Sequence, residues 1–245
     1  MLLRAVPLGH PGSALPAGVC TPGELERAAA ILGAQRSHEF VAGRLALRCL
    51  VAELLGADPR LVVPVYRCPA CRPGEHGAPG FALAREVPGT AHDDGTRLAL
   101  PVTASMSRAG GWALLAAEVT PWEREVTPWT REVTPCECEV TPCECEIGAT
   151  APRLGVDLAR VADFRGAIPD AAFSAAERRR VSAAEDPPTE AAQLWVRKEA
   201  LLKALGTGLR VQPAAVSTSG DSKVEDLDGK ALGLPAGFVA ALAQI

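Results

Sequence analysis

A proline-containing repeat in the middle of the chain limits the possible folds more than any other sequence feature. Four consecutive heptapeptides, EVTPWER, EVTPWTR, EVTPCEC and EVTPCEC, extend from Glu118 to Cys145. The proline at the fourth position of each copy has no backbone N–H and blocks a continuous helix, which excludes a heptad coiled coil despite the seven-residue period. We interpret the repeat as a loop expansion, inserted into a hairpin-like connection between two folded parts.

The segments on both sides of the repeat predict a mixture of helices and short strands. Thr21-Pro-Gly-Glu24 is a capping box, and the apolar pattern from Ser37 to Leu55, followed by Gly56, predicts a longer helix. Later helices are predicted in DAAFSAAERRRV and from Glu190 to Leu205. Strands are predicted in LVVPVY, FALAREV, RLALPVTAS, WALLAAE, LGVDLARV, AAVSTS, SKVEDL and GFVAALA. The sequence thus predicts an α+β protein with an N-terminal half (1–117), an insertion (118–146) and a C-terminal half (147–245).

Charge and hydropathy exclude several classes of protein. Of the 245 residues, 48% are hydrophobic and 22% charged, as in an ordinary globular protein. The repeat holds seven glutamates and two arginines, so the rest of the chain carries +1 of the total net charge of −4. This balance does not fit a nucleic-acid binder, and no apolar run approaches the ~20 residues of a membrane span. Pro7 and Pro11 interrupt the segment where a signal peptide needs continuous apolar residues, so we expect a cytoplasmic protein.

Three charged positions are candidates for chemistry. Glu199 and Lys203 lie four residues apart in the apolar helix LWVRKEALLKALGTGL, a spacing that is also common for ion pairs on solvated faces. Asp157 ends the predicted strand LGVD. A strand-end carboxylate and a helical carboxylate can together hold Mg²⁺, which takes few protein ligands and keeps several waters. Two further cations, Arg44 and Arg48, lie one helical turn apart; they are either solvated or directed together at an anion.

The order and spacing of these residues resemble a known signature. The segments GVD and WVRKEALLK, about forty residues apart, resemble the G-[IV]-D and [FW]-x-x-K-E-[AS]-x-x-K motifs of 4′-phosphopantetheinyl transferases of the surfactin-synthetase-activating type. FSAAERRRV is similar to the F-[ST]-x-x-E segment of that family. The matching residues are Gly155, Val156, Asp157, Trp195, Lys198, Glu199, Ala200 and Lys203.

Upstream segments extend the resemblance over most of the chain outside the repeat. SMSRAGGWALLA is similar to the family's N-x-S-H-S-G-G-W segment, with Ser107 at the serine and Arg108 at the histidine position. YRCPACRPGEHGAPGF, which contains His76, resembles its H-G-[KR]-P loop. HEFVAGRLALR, which contains Arg44, resembles its basic N-terminal helix.

The resemblance implies a fold, a reaction and a set of partners. Two pseudo-symmetric α/β halves bind coenzyme A between them, and Mg²⁺ bridges its pyrophosphate. The serine hydroxyl of an apo acyl or peptidyl carrier protein attacks the β-phosphate, as in a holo-[acyl-carrier-protein] synthase. The implied carriers belong to polyketide, non-ribosomal peptide or fatty-acid synthases, some of which serve secondary metabolism. The implied enzyme is a monomer that binds neither nucleic acid nor membrane.

The same resemblance assigns a role to each candidate residue. Asp157 and Glu199 are the implied metal ligands, and Glu199 and Lys203 the implied catalytic residues. The implied base is either Glu199 or a metal-bound water. The implied coenzyme A contacts are Arg44, His76, Ser107, Arg108 and Lys203.

The chain departs from the family pattern at two positions. Ala159 stands where the family often has a third metal-binding glutamate, and we expect a water in its place; Ala78 replaces a phosphate-binding Lys or Arg. These departures leave open an alternative, a catalytically weakened module that binds coenzyme A or a carrier protein.

Cysteine-based metal binding is a further possibility. Cys68 and Cys71 form CPAC, close to His76, but a single CxxC lacks the second ligand pair of a zinc site. The repeat adds four clustered cysteines, although two of its four copies contain none.

Overall fold

The computed structural model describes residues 1–67, 78–91, 97–120, 154–166 and 170–245, which form a mixed α+β fold. The helices in these ranges are α1 (Pro22–Ala30), α2 (Ala34–Leu55), α3 (Ala175–Ala183) and α4 (Pro187–Ala204). The strands are β1 (Leu2–Pro7), β2 (Val62–Arg67), β3 (Ala78–Ala84), β4 (Arg97–Ala99), β5 (Val102–Ala109), β6 (Trp112–Val119), β7 (Leu154–Arg160), β8 (Val224–Leu227) and β9 (Phe238–Gln244). No helix within these ranges has the length and apolar character needed to cross a bilayer.

The strands form three small antiparallel sheets, ordered β1-β6-β5, β2-β3-β4 and β7-β9-β8. In the first sheet, the N-terminal strand β1 pairs with β6 from Leu2 opposite Ala117 to Pro7 opposite Trp112. In the third, β7 pairs with β9 from Leu154 opposite Gln244 to Arg160 opposite Phe238. Both β5 and β7 are therefore edge strands of their sheets.

Alternation along the strands divides the core into layers. On β6, Leu115 packs in the cluster that contains helix α2, whereas its neighbour Leu114 packs in the cluster that contains β7 and β9. On β7, Val156 and Leu158 face the first sheet, and Ala159 packs in the cluster formed with α4. Because successive strand residues point to opposite faces, the order of layers is α2, first sheet, third sheet and α4.

Each half contains a capping box whose glutamate is buried in an ion pair. The Thr21–Glu24 box begins α1, as predicted, and Glu24 pairs with Arg48 of α2, with both side chains 1% exposed. A second box, formed by Ser174 and Glu177, begins α3. Burial alone would raise the pKa of Glu24, but the charge and hydrogen bonds of Arg48, with further bonds from neighbouring groups, lower it. Each glutamate thus caps a short helix and joins it to the long helix that follows.

Several sequence predictions need correction. Helix α4 begins at Pro187 with Asp186 as its N-cap, three residues before the predicted start, and Pro101 separates β4 from β5 within RLALPVTAS. Residues 214–219 are not a strand. The carbonyl of Pro213 accepts a bond from Lys198 Nζ and that of Thr218 one from Arg197, so α4 side chains take the place of a strand partner.

The hairpin-like connection predicted between β6 and β7 is also wrong. Both sides of β6 are already occupied, by β1 and by β5, and β7 pairs with β9. Strand β6 continues into the first repeat copy, where Glu118 lies opposite Thr103 and Val119 opposite Val102. The rest of the repeat, and the candidate ligands Cys68, Cys71 and His76, lie outside the described residues.

The buried Arg48–Glu24 pair should contribute far more to stability than the exposed Arg4–Glu53 pair, whose side chains are about half exposed. Arg48→Met leaves the Glu24 carboxylate buried without its charged partner, at an expected cost of about 3–5 kcal/mol in the free energy of unfolding. Arg4→Met should change it little, because exposed pairs are screened by solvent. Urea titrations of both variants measure the difference, and similar losses would contradict this account.

Candidate active site

The candidate residues meet where the edge strands of two sheets approach each other. The backbone N–H of Val156 on β7 donates to Ser105 Oγ on β5 at 3.0 Å. Two residues further along β5, Ser107 Oγ donates to Oδ1 of Asp157, the residue after Val156, at 2.7 Å. Side chains of β5 thus satisfy polar groups of β7 across this seam, and the predicted Asp157 and Ser107 are brought into direct contact.

Gly155 allows the helix with the candidate glutamate to lie against the strand with the candidate aspartate. A Cβ at this position would lie 1.9 Å from the carbonyl oxygen of Ala200 and 2.6 Å from the backbone nitrogen of Ala204, both on α4. No side chain fits such a gap without moving the helix. The glycine of the GVD motif therefore sets the distance between β7 and α4, which carries Glu199 and Lys203.

Lys203 crosses the seam and contacts both strands. Its Nζ donates to Asp157 Oδ1 at 2.6 Å, to the Val156 carbonyl at 3.0 Å and to the Met106 carbonyl at 3.4 Å. The Glu199–Lys203 spacing suggested a pair within the helix, but the salt bridge of this lysine is made to β7 instead. Lys203 is therefore not part of a solvated helix face; it balances the buried aspartate.

Glu199 has an oxygen without a partner. Its Oε1 atom is buried and accepts no hydrogen bond from the described residues. Burial, and then the charge of Asp157, raise the pKa of Glu199, whereas Lys203 acts in the opposite direction. An unpartnered buried carboxylate oxygen is costly and marks a position where a proton or a cation would be stabilised.

A basic cavity of about 720 Å³ adjoins this carboxylate pair. Its wall includes Ser107 and Lys203, which both contact Asp157, together with Arg44 and Arg108, and its only acidic lining residue among the described residues is Glu39. Partial desolvation and the charge of Arg44 lower the pKa of Arg108, and Glu39 opposes this. The cavity therefore offers several cations to an anion. The remaining lining residues are Ile31, Leu32, Arg36 and Met106.

The structure separates two pairs of cations that looked alike in the sequence. Arg44 lines the cavity, but Arg48, one turn further along α2, is buried with Glu24 and donates to the Val19 carbonyl at 2.7 Å. Lys198 of the WVRKEALLK motif is fully buried, and its Nζ donates to Glu177 Oε2 at 2.6 Å. Arg48 and Lys198 thus hold helices together and do not face the cavity.

The two carboxylates fit a divalent cation that needs few protein ligands. Asp157 and Glu199 lie close enough to raise the pKa of Glu199, and the orphaned Oε1 atom supplies a free ligand. No group of three or more potential metal ligands occurs within the described ranges. Ala159, at the position where a third carboxylate ligand would stand, packs in the apolar cluster with Val196 and Ala200. Mg²⁺ tolerates such a set, since waters and substrate oxygens complete its octahedron.

Comparison with known proteins identifies the segment that carries these residues. Residues 153–226, less than a third of the chain, match the family model ACPS, described as the 4′-phosphopantetheinyl transferase superfamily. The apo-ACPS structure of Chronobacterium ammoiniagenes is similar at 19% sequence identity over 38% of this chain and 95% of its own, with a TM-score of 0.25. None of the curated proteins matches the sequence.

The similarity to the 4′-phosphopantetheinyl transferase superfamily is therefore confined to residues 153–226. That segment includes β7, α3, α4 and the first three residues of β8, with Asp157, Glu199 and Lys203. The N-terminal half, which supplies Ser107, Arg44 and Arg108, lies outside the matched residues.

Sequence reasoning missed two aromatic residues beside the cavity, Phe40 and Tyr66, whose rings lie under arginine guanidinium groups. One signal was available, because Phe40 precedes Arg44 by four residues on a predicted helix. Nothing in the sequence placed Tyr66 of β2 next to that helix.

The unfavourable ionisation of the buried Glu199 carboxylate leads to a stability prediction. Its raised folded-state pKa means that ionisation destabilises the fold at neutral pH, so Glu199→Gln should raise the Tm in EDTA by roughly 2 °C, a value kept small by solvent screening. The gain should disappear as the pH falls below the ordinary glutamate pKa, where both states are protonated. Glu225→Gln, at an exposed glutamate of β8, serves as control. A Tm that falls in the Glu199 variant would contradict the interpretation.

Proposed function

We propose that this protein transfers the 4′-phosphopantetheine group of coenzyme A to a serine of an apo acyl or peptidyl carrier protein, in a Mg²⁺-dependent reaction. The observation that carries the proposal is the orphaned Glu199 oxygen beside Asp157, at the edge of a basic cavity and within the matched family segment. A pyrophosphate, a divalent cation and an attacking hydroxyl are the groups that such a site would serve.

The cations of the cavity would bind and orient the substrate. Arg44 and Arg108 come from the N-terminal half and Lys203 from the C-terminal half, so phosphates bound between them would be held from both sides. Phosphoryl transfer depends mainly on this positioning and on charge neutralisation. Ser107, hydrogen-bonded to Asp157, keeps that carboxylate in place. His76, in the segment outside the described residues, is proposed as a further coenzyme A contact.

Glu199 and Asp157 would hold Mg²⁺, which when bound neutralises charge on the pyrophosphate. Glu199, whose buried Oε1 atom has no partner among the described residues, is also the proposed general base. In the proposed step, the oxygen of the carrier serine forms a bond to the β-phosphorus and its proton passes to Glu199. The bond between that phosphorus and the bridging oxygen breaks, and 3′,5′-adenosine diphosphate leaves.

We further propose that the two halves, 1–117 and 147–245, are related by pseudo-symmetry and act as a monomer. Support comes from the repeated arrangement in which a capping-box glutamate pairs with a buried cation of the next long helix. The proposed partners are apo carrier domains of polyketide, non-ribosomal peptide or fatty-acid synthases.

One observation favours a second function. Position 159, where the family often has a third metal-binding carboxylate, is an alanine that packs in an apolar cluster, so metal binding would be weaker. The alternative is a module of the same fold that binds coenzyme A or a carrier without efficient transfer. Mass spectrometry of several apo carrier proteins after incubation with coenzyme A and Mg²⁺ distinguishes the two, because only transfer adds the phosphopantetheine mass.

Removal of either carboxylate should abolish transfer without loss of the fold. Asp157→Asn and Glu199→Gln should each lower the rate at least a hundredfold, since each removes a metal charge and Glu199 also accepts the proton. Glu225→Gln is again the matched control. Transfer by the Glu199 variant within a few-fold of wild type would refute its assignment.

The repeat is proposed to be dispensable for both folding and transfer. Deletion of residues 121–146 keeps β6 intact and leaves seven residues before Leu154, which span at most about 23 Å. This is enough, because Gln244, the strand partner of Leu154, donates to Glu118 Oε2 at 3.3 Å. We expect an unchanged Tm and transfer within threefold of wild type. A loss of more than about tenfold with the fold intact would show that the repeat takes part in the reaction.

A further inference from the structure

Two arginines that line the basic cavity, Arg44 and Arg108, belong to a series in which guanidinium groups and aromatic rings alternate. The Arg27 guanidinium lies 5.9 Å from the centre of the Tyr66 ring, and the Arg44 guanidinium lies 5.1 Å from the same ring. The Arg44 guanidinium also lies 5.4 Å from the centre of the Phe40 ring. The guanidinium of Arg108, on β5, lies 5.3 Å from the centre of the same ring. We call this series, Arg27, Tyr66, Arg44, Phe40 and Arg108, the cation–π ladder.

The two inner arginines are held by rings and not by carboxylates. Neither Arg44 nor Arg108 forms a salt bridge with any residue in the described ranges, and Arg44 Nε is buried without a partner. The acid that lines the same cavity, Glu39, accepts a bond from Gln35 Nε2 at 2.7 Å. Two like charges repel, but the negative face of an aromatic ring stabilises a guanidinium while leaving its N–H groups unused.

Buried groups fix both rings. The Tyr66 hydroxyl donates to Glu24 Oε1 at 2.8 Å, and Glu24 is itself fixed by Arg48 and by the capping box. Phe40 is 6% exposed on α2. The ladder therefore connects the buried Glu24–Arg48 pair to the arginines of the cavity through two rings whose positions are fixed by packing and hydrogen bonding.

Gly43 gives Arg108 its place beside the Phe40 ring. A Cβ on Gly43 would lie 2.8 Å from Arg108 Cδ, so the arginine stem occupies space that any larger residue would fill. Two features of α2 thus place the Arg108 side chain: Gly43 leaves room for its stem, and the Phe40 ring, one turn earlier, lies against its guanidinium.

We propose that Phe40 and Tyr66 are positioning residues that hold Arg44 and Arg108 side by side to receive a phosphate monoester, namely the 3′-phosphate of coenzyme A. This rests on the proposed function for the identity of the ligand. A monoester carries nearly two negative charges and three acceptor oxygens near pH 7, and two guanidiniums with unused N–H groups match it. Dephospho-coenzyme A lacks this group but keeps the pyrophosphate. The ratio of the affinities for the two compounds therefore measures the contribution of the ladder apart from that of the rest of the site.

The test compares Phe40→Leu with Phe81→Leu in the full-length protein. Phe81 is 5% exposed, packs in the N-terminal core and has no cation over its ring among the described residues, so the same substitution there has a similar packing cost. Calorimetric titrations with coenzyme A and with dephospho-coenzyme A, at fixed Mg²⁺ and without a carrier protein, give the affinity ratio for each variant. We expect Phe40→Leu to lower that ratio about tenfold and Phe81→Leu to leave it unchanged.

Two further variants separate positioning from stability. Gly43→Ala keeps both rings and favours the helix, but it displaces Arg108 and should lower the affinity ratio as Phe40→Leu does. Tyr66→Leu removes the ring that lies between Arg27 and Arg44 and should also lower the ratio.

The outcomes are decisive whatever the transfer activity. A wild-type protein that binds coenzyme A no more tightly than dephospho-coenzyme A overturns the proposal, as does an equal fall in the ratio for Phe40→Leu and Phe81→Leu. A ratio that depends on the ladder in a protein that modifies no carrier would support the ladder and refute the transferase assignment.

Discussion

The contact of Gly155 with the backbone of α4 is the constraint on which the candidate site depends. With no room for even a methyl group between the glycine and the Ala200 carbonyl, strand and helix approach to the limit set by their backbones. At this distance Lys203 reaches Asp157, and Asp157 acts on Glu199. A larger separation would leave the two carboxylates on different elements without a common ligand position.

The buried charges of the molecule differ in whether their bonding capacity is used. Arg48 and Lys198 each have a buried carboxylate partner and at least one carbonyl acceptor, so they stabilise the helix pairs, and neither of them lines the cavity. Beside the cavity, Glu199 keeps a buried oxygen and Arg44 a buried Nε–H that no described residue pairs with. A buried polar atom without a partner is expensive, and an unpaired acceptor and donor beside one cavity mark a position that a ligand can occupy.

The sequence predicted elements more reliably than contacts. The capping box at Thr21, the end of α2 at Gly56 and the mixed α+β class were all visible, because each depends on local backbone chemistry or on periodicity. The resemblance gave a role to Lys203 alone, but the sequence did not show the contacts of either lysine of the motif: Lys198 is fully buried, whereas Lys203 crosses the seam. The partners of β6 and the position of Tyr66 were equally hidden, because both depend on residues far away in the chain.

The capping-box ion pairs also bear on the order in which the molecule folds. Glu24 and Arg48 are separated by 24 residues, and Glu177 and Lys198 by 21, so each helix pair closes a short loop. By contrast, β1 joins its sheet through pairs such as Leu2 with Ala117, more than a hundred residues apart. Since short loops close at a lower cost in chain entropy, the two helix pairs can form early and independently. The seam between β5 and β7, and with it the candidate site, comes into existence only when the distant segments have met.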